Sequence, residues 1–149
     1  MTTERFKPAS HPPQGEPQAR KTAMNPPNVP SPIRGYYSSC VRVSAGSLLF
    51  ISGQLGTDVN GAIVGKDDVA AQATQALRNI QLLLEANGAA MSDVVKVTVY
   101  VTDMKYLDLI APARMRCFPH DGPASSIVAV AGLALPDAKV EIEAVAAVV

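Results

Sequence analysis

Two stretches of this chain alternate between apolar and polar residues, the first strictly and the second only over residues 139–143, and this alternation limits the fold more than any other feature. In "DVVKVTVYVTD" (residues 93–103), the valines at every second position from Val95 to Val101 face one way and the polar residues between them face the other. In "KVEIEAVAAV" (residues 139–148), Glu141 and Glu143 share one face. Because successive side chains of a strand point to opposite sides, each stretch predicts a strand with one face in the core.

Helical periodicity marks a different part of the chain. The spacing of apolar residues predicts a helix that begins after Asp67 or Asp68 as its cap and ends at the Asn87-Gly88 pair. The expected core positions are Val69, Ala73, Ala76, Leu77, Ile80, Leu83 and Leu84. A second helix is predicted from an Asp103 cap to Phe118, with Pro112 expected to kink or split it. Its expected apolar positions are Met104, Leu107, Ala111, Met115 and Phe118.

Further strands are predicted at residues 39–44, 47–52 (ended by Gly53) and 125–131, and the last strand covers residues 139–148. The element order is strand, strand, helix, strand, helix, strand, strand. This order predicts an α+β domain in which two helices cover one face of a sheet. The other face has to be hidden as well, and a partner subunit would hide it.

Composition limits the partners of the chain. It carries 13 basic and 13 acidic residues, and 48% of its residues are hydrophobic. A neutral, apolar chain suggests self-association and offers no basic surface for nucleic acid or an anionic membrane. The apolar runs are too short to span a bilayer. Cys40 and Cys117 lie far apart with no metal-ligand spacing, so we expect both to be reduced core residues of a cytoplasmic protein.

The first 33 residues contain eight of the twelve prolines and no hydrophobic periodicity. They are predicted to form a disordered or loosely packed tail, followed by a single domain over residues 34–149. Met24 lies inside this tail, so the natural start of translation could be Met24.

Three segments together resemble the Rid (YjgF) family of reactive intermediate deaminases. They are "YYSSCVRVSAGSLLFISGQLGTD", "QATQALRNIQLLLEANGAAMSDVVKVTVYVTDM" and "GPASSIVAVAGLALPDAKVEIEAVA", and they follow one another in the order and spacing of that family. The resemblance covers residues 35–148. It implies a chorismate-mutase-like fold, with a mixed sheet and two helices on one face, assembled as a homotrimer with a ligand cleft between subunits.

The resemblance also implies a reaction. Members of the family hydrolyse enamines and imines to a keto acid and ammonia, without metal or cofactor. Tyr37 matches the tyrosine of the family's "PYSQA" segment, Gly53 the glycine of "SGQ", and Glu141 the first glutamate of "EIE". The resemblance implies that Glu141 positions or activates water and that Tyr37 and Gly53 line the substrate site.

Four departures bear on the substrate. Ser125 stands where the family's "PAR" motif has an arginine that grips the substrate carboxylate. Ala111, Ile127 and Tyr36 replace an asparagine, a cysteine and a proline. Because hydrogen bonds to charged groups are worth about 1.5–3 kcal/mol each, the loss of an arginine should weaken carboxylate binding. An altered choice of substrate is therefore expected.

Other residues could compensate. Ser125 and Ser126 could donate hydrogen bonds to a polar substrate. Arg114, on the second helix, or His120, in the loop before the next strand, could replace the missing cation. The alternative for Arg114 and Arg116 is that both are solvent-facing helix charges, and for His120 that it is a polar surface residue.

Three functions remain open. The chain could be a divergent Rid enzyme that hydrolyses C=N or enamine bonds of a small catabolic intermediate. It could be a non-catalytic protein that binds or senses a metabolite in the same cleft. An endoribonuclease or translation-inhibitor role is disfavoured because the sequence predicts no basic surface.

Overall fold

The computed structural model describes residues 21–44 and 46–148 of the 149-residue chain. The strands are β1 (Lys21–Met24), β2 (Cys40–Val43), β3 (Ser47–Leu55), β4 (Val94–Val101), β5 (Ala124–Ala129) and β6 (Val140–Val148). The α-helices are α1 (Val69–Ala86) and α2 (Leu107–Cys117), and short 3-10 turns at Met91–Asp93 and Met104–Tyr106 precede β4 and α2.

Strands β3 to β6 form a mixed sheet in the order β3-β6-β4-β5. Strand β6 pairs antiparallel with both β3 and β4, whereas β4 and β5 run parallel. Because parallel neighbours need a crossover connection, α2 lies between β4 and β5 in the chain. The predicted α+β class with a mixed sheet is confirmed.

The sheet has one covered face and one open face. Helix α1 packs on β3 and β6, and α2 packs against α1. The buried apolar residues of both helices and of β4 and β6 form one core cluster. On the other side, large apolar residues such as Leu48, Phe50 and Val128 remain exposed, with Phe50 at 74%. We call this side the open face of the sheet.

Local signals explain where the helices begin. The side chain of Asp68 accepts a hydrogen bond from the Ala71 N–H at 3.0 Å and caps α1. Asp103 accepts from the Lys105 N–H at 2.9 Å at the start of the 3-10 turn before α2. Pro112 lies inside α2 without dividing it.

Gln72 holds the connections around α1 together. Its side chain is fully buried on the helix, its Nε2 donates to the carbonyls of Gly65, Lys66 and Asp137, and its Oε1 accepts from the Lys139 N–H. A buried amide is stable only when its polar atoms are paired. This side chain therefore ties the loop before α1 to the loop before β6.

The structure corrects the predicted tail. Strand β1 lies inside residues 1–33, and it pairs antiparallel with β2 in a two-stranded sheet. The sequence signal is weak because four residues are too few to show a period. Met24 is the last residue of β1, so a chain beginning there would lose most of that strand. Residues 1–20 of the predicted tail lie outside the described residues.

Several predicted positions are also corrected. A register shift near Val95 buries Val94 instead of Val95, and β3 continues past Gly53 to Leu55. Leu83 is exposed, as are Met104 and Met115 of the second predicted helix face. Cys40 is exposed on β2 and Cys117 is half-buried, so Cys40 is no core residue.

Replacing Gly56 by alanine should destabilise the fold. A Cβ at this buried position would lie 2.5 Å from Cα of Gln72 and 2.6 Å from its carbonyl oxygen, so backbone would have to move. We expect the free energy of unfolding to fall by about 1–3 kcal/mol or more. Chemical denaturation checks this, with Gly132→Ala as the control, because nothing lies within 4 Å of a Cβ there. Equal stability of the two variants would contradict the tight contact.

Candidate functional site

Glu141 and Gly53 lie against each other on the open face. Glu141 pairs with Leu55 of β3 on one side and with Tyr100 of β4 on the other. A Cβ added to Gly53 would overlap the Glu141 carboxylate, so only glycine leaves room for it there. The register of β3 and β6 shifts between Ile51 and Gln54, and such irregularities often re-aim side chains beside functional sites.

Glu143, the second glutamate of β6, forms a hydrogen bond with a side chain of strand β4. The Tyr100 hydroxyl donates to Glu143 Oε1 at 3.0 Å, and this hydrogen bond raises the pKa of Tyr100. Lys96 Nζ donates to Ser126 Oγ at 3.0 Å, and burial lowers the pKa of Lys96. A cavity of about 290 Å³ on this face is lined by Lys96, Glu143 and apolar residues of β3 and β6.

A separate pocket opens beside helix α2. Its volume is about 170 Å³, and its lining residues are Ile33, Arg34, Tyr36, Tyr37, Leu107, Arg114, Ser125 and Ile127. The Tyr37 hydroxyl accepts a hydrogen bond from the Ile33 N–H at 3.2 Å, which holds the 33–37 segment as one wall. At the rim, Arg34 Nη2 donates to Asp108 Oδ1 at 2.6 Å. Three predicted site residues, Tyr37, Ser125 and Arg114, therefore meet here.

Arg114 is buried in this pocket, with 3% of its surface exposed. Its Nη2 donates to Ser125 Oγ at 2.6 Å, and its guanidinium carbon lies 4.4 Å from the centre of the Tyr36 ring. Burial lowers the pKa of Arg114, whereas the phenol groups of Tyr36 and Tyr37 act in the opposite direction. The interpretation of Arg114 as a solvent-facing helix charge is wrong, although it holds for the exposed Arg116.

One signal in the sequence could have located Arg114. It lies four residues after Ile110 and three after Ala111, and both of these are buried. Residues three and four apart share a helix face, so Arg114 faces the same way as the core. The predicted helix face included the buried Ala111, but Met104 and Met115, which were also assigned to that face, are exposed.

Glu141 and the α2 pocket lie on opposite faces of the sheet. Ser125 pairs with the buried Val97, so Ser125 is on the covered side, whereas Glu141 pairs with Tyr100 on the open side. One sheet cannot bring both groups to the same small molecule. Ser126 follows Ser125 and therefore also lies on the open face, away from the α2 pocket.

His120 lies in neither place. It lines a larger cavity, of about 540 Å³, with Lys21, Arg116, Cys117 and Asp121. Within residues 21–44 and 46–148, no group of three or more His, Cys, Asp or Glu side chains could hold a metal ion. No helix in the same part of the chain is long and apolar enough to cross a membrane.

Comparison with known proteins gives consistent matches. The family model described as Endoribonuclease L-PSP matches residues 28–148. The chain is 37% identical over 122 residues to the 2-iminobutanoate/2-iminopropanoate deaminase of Salmonella typhimurium, covering 80% of this chain and 91% of that protein. It is 40% identical over 119 residues to a RutC family protein of Pyrococcus horikoshii, covering 80% and 91%.

The fold matches as well. A crystal structure of a protein of unknown function from the conserved Rid family of Yersinia pestis superposes with a TM-score of 0.81 at 32% identity. That match covers 86% of this chain and 98% of the other. With the family model covering most of the described residues, these likenesses establish that the chain belongs to the Rid family, the group that the endoribonuclease L-PSP model also describes.

Proposed function

We propose that this protein hydrolyses the C=N bond of small imines, and of enamines once they have tautomerised to imines, in a cleft between two copies of the chain. The observation that carries the proposal is the contact of Glu141 with Gly53, because the absence of a side chain at residue 53 leaves room for a carboxylate on the face that a second copy would cover. Relatives named 2-iminobutanoate/2-iminopropanoate deaminase support imine deamination at the level of the family.

Glu141 would act on water. Its carboxylate accepts a proton as the water oxygen adds to the imine carbon, and the imine nitrogen gains a proton. In the resulting carbinolamine the hydroxyl group loses its proton and forms the C=O bond as the C–N bond breaks, and the nitrogen gains a proton and leaves as ammonia. Water and imine are consumed, and ketone and ammonia are formed. A positioned carboxylate that transfers protons in this way contributes about 10²–10⁴-fold to a rate.

The candidate residues lie in two separate places on one chain, and this separation supports an assembly of several copies. Glu141 lies on the open face and Tyr37, Ser125 and Arg114 lie in the α2 pocket, so a complete site would combine Glu141 of one copy with the pocket of the next. Such head-to-tail contacts close into rings, and a homotrimer is the ring we propose. The exposed Leu48, Phe50 and Val128 on the open face would be covered in this assembly.

A binding protein without turnover would use the same cleft, and the assay below separates the two functions. An endoribonuclease role, which the family description names, has less support. With 13 basic and 13 acidic residues, the chain has no net positive charge to attract a polyanion.

Replacing Glu141 by glutamine should lower kcat for imine hydrolysis by about 100-fold or more, because glutamine cannot take the proton from water. Imine can be generated in the assay by an amino-acid oxidase and its decay followed by trapping. Glu143→Gln is the matched control, because Glu143 lies on the same face but accepts a hydrogen bond from Tyr100. Full activity of Glu141→Gln would overturn the assigned role. If the wild type binds keto acid but turns over no imine, the protein is a binding module.

Replacing Gly53 by alanine should separate activity from folding. The added methyl group would meet the end of the flexible Glu141 side chain and no backbone, so the carboxylate moves while the fold remains. A displacement of about 1 Å can cost 10²-fold in rate, so kcat should fall by about that factor. Circular dichroism and the thermal midpoint should change little. Wild-type turnover would show that the position of Glu141 does not matter.

Mixed oligomers should test the shared site. Glu141→Gln and Tyr37→Ala damage different halves, so each variant alone should have little activity. After the two are refolded together in equal amounts, one site in four draws both intact halves from different copies, and about a quarter of wild-type activity should return. If mixing restores nothing although mixed oligomers form, each site is built within one chain.

A further inference from the structure

We propose that Arg114 on helix α2 binds the carboxylate of the substrate, so that the substrates are imines of 2-amino acids. This inference rests on the proposed function for the reaction, but it makes a claim about binding that can be tested without turnover. It assigns the role to a helix residue, at a position where the family resemblance implies no carboxylate contact.

Arg114 is a buried charge without a carboxylate partner among the described residues. Its exposure is 3%, and within residues 21–44 and 46–148 no carboxylate forms a salt bridge with it. The partners the structure gives it are a hydroxyl and an aromatic ring. A buried charge that lacks its counter-ion is strongly destabilising. A ligand carboxylate in the pocket would remove that cost.

The guanidinium of Arg114 is held in a fixed position. Ser125 Oγ accepts from one Nη of Arg114, and the Tyr36 ring lies beside the guanidinium, so the group is fixed from two directions. A guanidinium has five N–H donors in a rigid fork, and the contact with Ser125 occupies one terminal nitrogen. The donors that remain can form the paired bonds that a carboxylate accepts. A fixed guanidinium binds with less loss of side-chain freedom than a mobile one.

Two departures from the family pattern meet at Arg114. Ser125 replaces the family arginine, Tyr36 replaces a proline, and both contact Arg114. An arginine at residue 125 would place a second guanidinium against the first, and two like charges in a buried pocket repel. Ser125 and Tyr36 are therefore compatible with a guanidinium supplied by helix α2, and both contact it.

The rest of the pocket limits the substrate further. Ile33, Leu107 and Ile127 supply apolar walls, and the volume is only about 170 Å³. Pockets for drug-sized ligands are about 300–1,000 Å³, so this one suits a small molecule. An imine that carries a carboxylate and a short aliphatic side chain fits both the charge and the size.

The test measures binding of 2-oxobutanoate, a stable keto acid product, by isothermal titration calorimetry. Arg114→Met should weaken binding by about 10- to 100-fold, the loss expected for hydrogen bonds to a charged group. Arg114→Lys keeps the charge without the fork and should give an intermediate loss. Arg116→Met is the control, because Arg116 is exposed on the same helix, and its affinity should equal that of the wild type.

The outcomes separate this inference from the proposed function. If the wild type hydrolyses imines but Arg114→Met and Arg114→Lys bind 2-oxobutanoate as tightly as the wild type, the inference is wrong and the hydrolase stands. If the wild type binds through Arg114 but hydrolyses no imine, the hydrolase is wrong and the inference stands. Arg114→Met should lose more activity on imines that carry a carboxylate than on imines that lack one, and an equal loss on both substrate types would also overturn the inference.

A second variant covers the case in which Arg114→Met does not fold. In the double variant Arg114→Met with Ser125→Arg, a guanidinium is returned to β5 and the repulsion between two arginines is avoided. Binding of 2-oxobutanoate should recover to within about 10-fold of the wild type. A folded double variant with no measurable binding would show that the pocket does not hold the carboxylate.

Discussion

The alternation of strand β6 is the constraint on which the rest of this structure depends. The strand is hydrogen-bonded on both sides, to β3 and β4, and Val140, Ile142 and Ala144 point into the core beneath the helices. Glu141 must then point to the open face. A slip of one residue would turn the carboxylates into the core and the aliphatic side chains into water, at a large cost in free energy. The packing that stabilises the fold therefore also sets the position of the carboxylate.

The crossover from β4 to β5 places the cation. Because the two strands are parallel, α2 has to run back along the covered face before β5 begins, and this brings Arg114 onto Ser125, only 11 residues later in the chain. Tyr36 reaches the same point from the segment before β2, where the Ser38 N–H donates to the carbonyl of Pro123 at 3.1 Å. Three separate segments thus form the pocket.

The spacing of apolar residues and the helix-capping residues were enough to predict most of the sheet and both helices. They also predicted the face that Glu141 and Glu143 share. Strand β1 could not be found in this way, because its pairing with β2 is non-local and it is only four residues long. Val94 and Val95 exchanged roles because a bulge interrupts the alternation there. Of the candidate site, Glu141 and Gly53 could be proposed from the family motifs. The burial of Arg114 depends on contacts with Tyr36 and Ser125 that no single stretch of sequence contains.

The distribution of the α2 pocket over Tyr36, Arg114 and Ser125 has a consequence for how such proteins are classified. A signature is read along consecutive residues, and one that requires arginine after "PA" on strand β5 rejects this chain. A spatial criterion would instead require a guanidinium on the covered side of the β4–β5 pair. This chain meets that criterion. The first criterion therefore cannot distinguish a chain without an arginine at this place from a chain that has a buried one on helix α2.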